Sequence, residues 1–187
     1  MNRHEPAAGM IELDGFSLRP LTGDDYALIQ PLLEATPREI FELPMSEAAF
    51  RGFLLQVQRR PWSMPMISTM DGRPKAAFIL SPASPKNSHA YLLALMAHAE
   101  QCVLPLGLYI RQAFWSYPLH RLYVQLPVTP ASRPHSDAFM AAGFVSEGVL
   151  AGHILAGSHA QDASVLGLLR QDFDAWCAAH EPRLSMS

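Results

Sequence analysis

The chain has 187 residues, 49% of them hydrophobic and 17% charged, with a formal net charge of −3. That length suits one domain with a sizeable core, and scattered basic residues, with Arg59-Arg60 the only adjacent pair, exclude a broad nucleic-acid-binding face, which needs clustered Lys and Arg. Two cysteines, Cys102 and Cys177, make no disulfide framework, and so few charges leave an apolar surface that favours a homo-oligomer.

The start, "MNRHEPAAGMIELDG", lacks the apolar core of a signal peptide. The most apolar run, "AYLLALMA", is too short to span a bilayer. The expectation is a cytoplasmic protein that engages no membrane.

Residues 1–15 read as a loose or weakly paired arm, followed by a single domain over 16–187. "FSLRPL" (Phe16–Leu21) alternates apolar and polar residues, as a half-buried strand does. Thr22 and Asp25 resemble a capping box. Tyr26, Ile29, Leu32 and Leu33 then recur at helical spacing, with Pro31 expected to kink or shorten the helix. Ser46 can cap a second helix, whose stripe of Phe50, Phe53, Leu54 and Val57 reads as a core face.

"MPMISTM" and "PKAAFIL", separated by "DGR", read as a hairpin, because Asp-Gly supplies the turn. A Pro/Ser-rich turn, "SPASPKNS", leads to the strand "SHAYLLALMA", whose unbroken apolar character predicts burial on both faces. Leu106, Tyr109, Ile110, Ala113 and Phe114 fit a helix, and "HRLYVQLP" another strand. "SDAFMAAGF" reads as a short helix closed by Gly143 as a left-handed cap. Strands around "FVSEGVLAGHILAG" and "ASVLGLL" and a helix, "RQDFDAWCAAH", complete the domain.

This order, β-α-α-β-β-β-α-β-α-β-β, resembles the GNAT superfamily of N-acetyltransferases, an α/β fold with a central twisted mixed sheet and helices on both faces. "FMAAGFVSEG" is similar to the family's "Y-x-x-x-G-F-x-x-E-G" segment. "GHILAG…ASVLGLLRQDF" is similar to the tail of the branch acting on protein N-terminal alanines and small amines. The resemblance implies that the family's fourth and fifth strands splay apart and that acetyl-CoA pairs with the fourth, here near Leu95, Met96 and Ala97. It implies that the pyrophosphate sits on the following turn, over Gln101, Cys102, Val103 and Leu104. Free N–H groups and the helix dipole attract anions at such a place.

Two features depart from the family pattern. Its turn reads Gln/Arg-x-x-Gly-x-Gly/Ala, whereas here either Glu100 and Cys102 or Leu104 and Leu106 fall on the glycine positions. A carboxylate at Glu100 would repel a pyrophosphate unless it turns to solvent. The family's tyrosine, four residues before the "GF" glycine, protonates the leaving thiolate; here that position is Phe139, which has no proton to donate. The family's asparagine-like position falls near Ser132.

Direct transfer needs a base for the amine and donors for the developing oxyanion. His98, at the end of the apolar strand, is a candidate base, against the plainer reading of a solvent-facing loop histidine. Glu100 is a second candidate, against a surface carboxylate. His153, in "GHIL", is a candidate acceptor contact, against a structural hydrogen bond in the sheet. Glu147 reads as a turn or surface-pair residue. Cys102, although near a helix start, reads as a small buried filler rather than a nucleophile. His89, His120, His135 and His159 are spaced too irregularly for a metal motif, and Ser116 and Ser136 have no nucleophile-elbow context.

The expected activity is acetyl transfer from acetyl-CoA to a primary amine of a small molecule or a protein N-terminus. The alternatives are a GNAT-fold transferase taking its acyl group from an acyl carrier protein, or a non-catalytic GNAT-fold binding module.

Overall fold

The structure, a computed structural model, describes residues 9–40, 46–156 and 159–180. The elements in chain order are β1 (Ile11–Leu13), β2 (Phe16–Pro20), α1 (Tyr26–Ala35), α2 (Glu47–Gln58), β3 (Met64–Met70), β4 (Arg73–Ser84) and β5 (His89–Met96). After them come α3 (Val103–Ser116), β6 (Arg121–Pro127), α4 (Arg133–Ala141), β7 (Val145–Ala156), β8 (His159–Leu169) and α5 (Arg170–His180). The strands form one sheet in the order β1-β2-β3-β4-β5-β6-β8-β7. It is mixed, because β5 and β6 run parallel while their neighbours pair antiparallel. This is the α/β mixed sheet that the sequence leads one to expect.

Local chemistry explains most boundaries. Asp71 and Gly72 both take positive φ, 51° and 72°, as a two-residue hairpin turn of the primed type requires. The Ser46 hydroxyl accepts from the Ala49 amide at 3.2 Å and starts α2. Gly143, at φ 97°, ends α4, and the Phe144 amide reaches back to the Phe139 carbonyl at 3.1 Å. Arg170 holds the far end of α3: its guanidinium donates to the Leu119 and Tyr117 carbonyls at 2.8 and 3.0 Å and lies over the Phe114 ring.

Three expectations need revision, and of the two readings of the arm the paired one applies. Pro31 does not shorten α1, which runs on to Ala35; the proline is exposed there, and buried Ile29, Leu32 and Leu33 anchor the helix on both sides of the lost hydrogen bond. Within the arm, Ile11–Leu13 pairs with β2 through a tight turn at Asp14 and Gly15. β4 continues to Ser84, so half of the "SPASPKNS" turn is strand. Finally, α4 begins at Arg133 rather than Ser136, because Thr129 and Ser132 form the cap and Pro134 is tolerated in a first turn.

Alternation along the strands gives the sheet two covered faces. Ile67, Ala77 and Leu95 face α1 and α2, with Leu32, Phe50 and Leu54 beneath them. Met66, Phe78 and Met96 face α3 and α5 on the other side. There Tyr109, fully buried, donates to the Met64 carbonyl at 2.6 Å and meets the Phe78 ring at 5.0 Å. No helix of the described residues is long and apolar enough to cross a membrane.

Gly107, the first glycine after β5, serves this packing. A Cβ there would lie 2.7 Å from Cη2 of Trp176. That indole stacks on Phe173 and donates to the Ala141 carbonyl at 2.9 Å, so it has little freedom to move. Ala usually stabilises a helix by about 1 kcal/mol over Gly, but overpacking costs about 1–3 kcal/mol. Gly107→Ala is therefore expected to lower the denaturation midpoint, with loss of Trp176 fluorescence character; an unchanged or raised midpoint would contradict the packing role.

Candidate functional site

The β5–β6 ladder is short. His89, Ala90 and Tyr91 pair with Arg121, Leu122 and Tyr123, and beyond them the strands part. The gap is a slot through the sheet lined by Tyr91 to Ala94 on β5, by Val124 to Leu126 on β6, and by Ile40 and Phe139. Tyr91 marks its apex. The phenol hydroxyl donates to the Gln125 carbonyl at 3.4 Å, where the next ladder bond would have been. Burial raises the Tyr91 phenol, so it stays protonated and able to donate.

The edge of β5 that β6 leaves unpaired follows from its pairing with β4. The Ala97 amide donates to the Lys75 carbonyl, and the period of two puts Leu95 and Leu93 on that same side. Ala94 and Met96 therefore turn their N–H and C=O groups into the gap. Pro82, which has no N–H, stands opposite Ala90, consistent with this phase.

Past β5 the chain makes a single 3-10 turn, Ala99–Gln101, and enters α3. The first α-type bond runs from the Leu106 amide to the Cys102 carbonyl. The amides of Val103 and Leu104 thus lie ahead of any intrahelical acceptor, and Pro105 offers none. The slot reaches Ala94 on β5, and the chain runs on from there through buried Met96 to the start of α3.

No protein-family model and no curated protein sequence matches this chain. Solved structures match it over most of its length. RimJ of Mycobacterium smegmatis, in complex with CoA-disulfide, superposes with a TM-score of 0.73 at 15% identity, covering 96% of this chain and 98% of that one. The chain has the fold of the GNAT acetyltransferases. Ribosomal-protein-S5-alanine acetyltransferase of Vibrio fischeri gives 0.72 at 14% identity, covering 88% and 98%. Spermidine N-acetyltransferase of Vibrio cholerae, in complex with CoA and spermine, gives 0.70 at 16%, covering 85% and 98%.

On this GNAT fold the candidate residues separate into three groups. Leu95, Met96 and Ala97 lie on the β5 edge as described, with the Leu95 side chain buried under α1 and α2. Gln101 is exposed in the turn, and Val103 and Leu104 are half-buried in the first turn of α3. Phe139 is buried in the slot, edge-on to Phe144 at 5.1 Å.

His98 and Glu100 come together at the turn, Nδ1 to Oε1 at 3.9 Å, each side chain 66% exposed. Both face solvent, as their plainer readings had it. Cys102 is buried, its thiol directed to the His98 and Lys75 carbonyls. Burial, aided by the Glu100 charge, pushes that thiol up to about 12, so it supplies no thiolate at neutral pH.

His153 stands apart from all of these. It lies on β7, two strands beyond β6, where Ala151, Gly152 and His153 bulge opposite Asp162. The Gly152 amide, at φ 58°, donates to the Asp162 carboxylate at 2.8 Å. His153 is exposed there. Glu147 pairs with Arg121 across the sheet and covers Gly167. The sequence "TPREIFELPMSEAAF" offers Phe41 and Met45 as apolar residues for an acceptor wall or for the core, and both lie outside the described residues.

Sequence reasoning missed Tyr91, Gln125, Ile40 and His135. Tyr91 had a signal: a lone phenol inside "AYLLALMA" needs a partner for its hydroxyl. Gln125 contributes a backbone carbonyl, which no side-chain motif reveals. His135 entered only as a rejected metal ligand, yet it is 5% exposed on α4 one turn before Phe139.

Proposed function

We propose that the chain is an N-acyltransferase moving acetyl from acetyl-CoA to a primary amine of a small molecule or a protein N-terminus. One observation carries this reading: the parted β5 and β6, with the Ala94 and Met96 edge leading to the open amides of Val103 and Leu104. Such an edge suits the amide-bearing arm of the donor, which can add to it as a strand would. The two open amides and the helix dipole suit its pyrophosphate. Glu100 opposes an anion, but at 66% exposure its carboxylate is free to point to water, where screening weakens the repulsion.

In this reading the amine nitrogen attacks the thioester carbonyl from the Ile40 side of the slot. A β5 N–H bonds the oxygen as negative charge develops on it. The C–S bond breaks, the attacking nitrogen gives up its proton to water, and the thiolate departs without a tyrosine on α4, so sulfur takes its proton from water or another donor. The ribosomal-protein-S5-alanine acetyltransferase and the spermidine N-acetyltransferase with bound spermine share this fold, which fits an amine acceptor here. Release of CoA thiol with a panel of amines and N-terminal peptides tests the reading. Silence across a broad panel would refute it.

The turn favours one rival, an acyl carrier protein as donor. A phosphopantetheine arm delivered on a protein carries one phosphate rather than a pyrophosphate and depends less on the turn where Glu100 stands. Transfer from an acylated carrier protein but not from acetyl-CoA would select it, and binding without transfer would select a non-catalytic module.

A further inference from the structure

Tyr91 stands where a side chain can set the depth of the slot. It is in the last rung of the β5–β6 ladder, opposite Tyr123, so behind it the strands are bonded and ahead of it they part. Alternation puts Tyr91 and Leu93 on the face of the sheet where Leu95 meets α1 and α2. Leu92, Ala94, Val124, Leu126 and Phe139 also line the slot, but they belong to the core on the opposite face. The phenol therefore crosses the gap on the far side from Phe139, leaving β5 and donating its hydroxyl to the Gln125 carbonyl on β6 at 3.4 Å. The Tyr123 ring backs it edge-on at 5.3 Å, and His89 meets Tyr123 edge-on in turn at 5.8 Å.

We propose that Tyr91 is the gauge of acyl length: its ring bars the α1/α2 side of the slot, so that an acyl group entering from the Phe139 side ends against it. This rests on the acyl-donor reading of the slot. With the donor's anionic end at the start of α3, beyond the C-terminal end of β5, the arm runs back along the strand and its acyl end arrives between Ala94 and Tyr91. Among the described residues the lining there is apolar except for Tyr91 and Gln125, which suits a hydrocarbon. A longer chain must displace the ring and break its contacts with Gln125 and Tyr123. The wild type accordingly selects short acyl groups, and it does so with one side chain.

The test is calorimetric titration of the full chain with acetyl-CoA and butyryl-CoA, comparing wild type with Tyr91→Phe, Tyr91→Leu and Tyr91→Ala, each first checked by thermal denaturation. Two methylenes seated in an apolar site favour binding by about tenfold. Tyr91→Ala should shift the butyryl-to-acetyl affinity ratio by about that much toward butyryl, and Tyr91→Leu should shift it the same way. Tyr91→Phe keeps the ring and should keep the wild-type ratio. A ratio unchanged in the alanine and leucine variants, or shifted equally in the phenylalanine variant, would overturn the gauge. The same two acyl groups carried on an acyl carrier protein repeat the reading for that donor, and binding of neither form by any of the four proteins would overturn the gauge together with the donor reading. The amine-panel assay separates the gauge from the activity. A shifted ratio without transfer to any amine would remove the transferase reading alone, and transfer by wild type with no shift in the variants would remove the gauge alone.

Discussion

Replacing Asp25 by alanine is expected to destabilise the fold by about 3 kcal/mol, near the lower end for breaking a buried ion pair. Asp25 is only 7% exposed. Its carboxylate accepts from the Arg19 guanidinium at 2.6 and 2.9 Å, and from the Thr22 amide and hydroxyl at 2.8 and 2.9 Å. It ties β2 to the start of α1, and its loss leaves a half-buried guanidinium uncompensated. For a chain of this size that loss should lower the thermal midpoint by about 8 °C. Burial alone would raise the carboxyl, but bonds from Arg19 and Thr22 outweigh it and hold it below the usual carboxylate range. A depressed group stabilises fully above its unfolded pKa and loses that contribution as pH falls through the folded one. The gap between wild type and Asp25→Asn should therefore be widest near neutrality and close below about pH 4. A gap constant down to acid pH would assign the effect to packing instead.

Replacing Phe139 by tyrosine is expected to raise kcat for acetyl transfer by about tenfold or more, since a positioned acid contributes roughly 10²–10⁴-fold where it is fully effective. The ring is 1% exposed and lines the slot. On the proposed acyl-transfer reading, a hydroxyl added there would find its partner in the departing sulfur when donor is bound. The free protein should accordingly lose about 1–3 kcal/mol of stability from an unpaired buried hydroxyl. Stopped-flow measurement of thiol release separates the two effects. A rate unchanged in a variant that still binds donor would mean that position 139 does not reach the sulfur.

The legible features were those written in one or two residues. Asp71-Gly72 specified its hairpin, Ser46 its helix cap and Gly143 its helix end, because each depends on a local backbone requirement. The order of elements, and with it the place of the groove, followed from these and from periodicity. Features set by distant contacts were not legible. The parting of β5 and β6 depends on how far the ladder runs before Tyr91 reaches Gln125, a balance of packing on both faces. The bulge that carries His153 outward is stabilised by Asp162, nine positions away in sequence. His135 was hidden by a boundary: with α4 starting at Ser136 it would sit in a loop, whereas the Thr129–Ser132 cap draws it into the helix and under cover.

The brevity of the β5–β6 ladder also has a mechanical meaning. Strands β1 to β5 form one run of antiparallel neighbours, and β6, β8 and β7 form another. Three backbone pairs, the Tyr91 hydroxyl and the helices packed across the seam hold the two runs together. Cooperative units open most readily where few interactions cross between them, and between these two runs that line passes through the slot. A strand-like ligand laid along Ala94 and Met96 would supply missing rungs to this ladder. Whatever fills the groove would then act as a rivet, joining the two runs more firmly while the ligand stays.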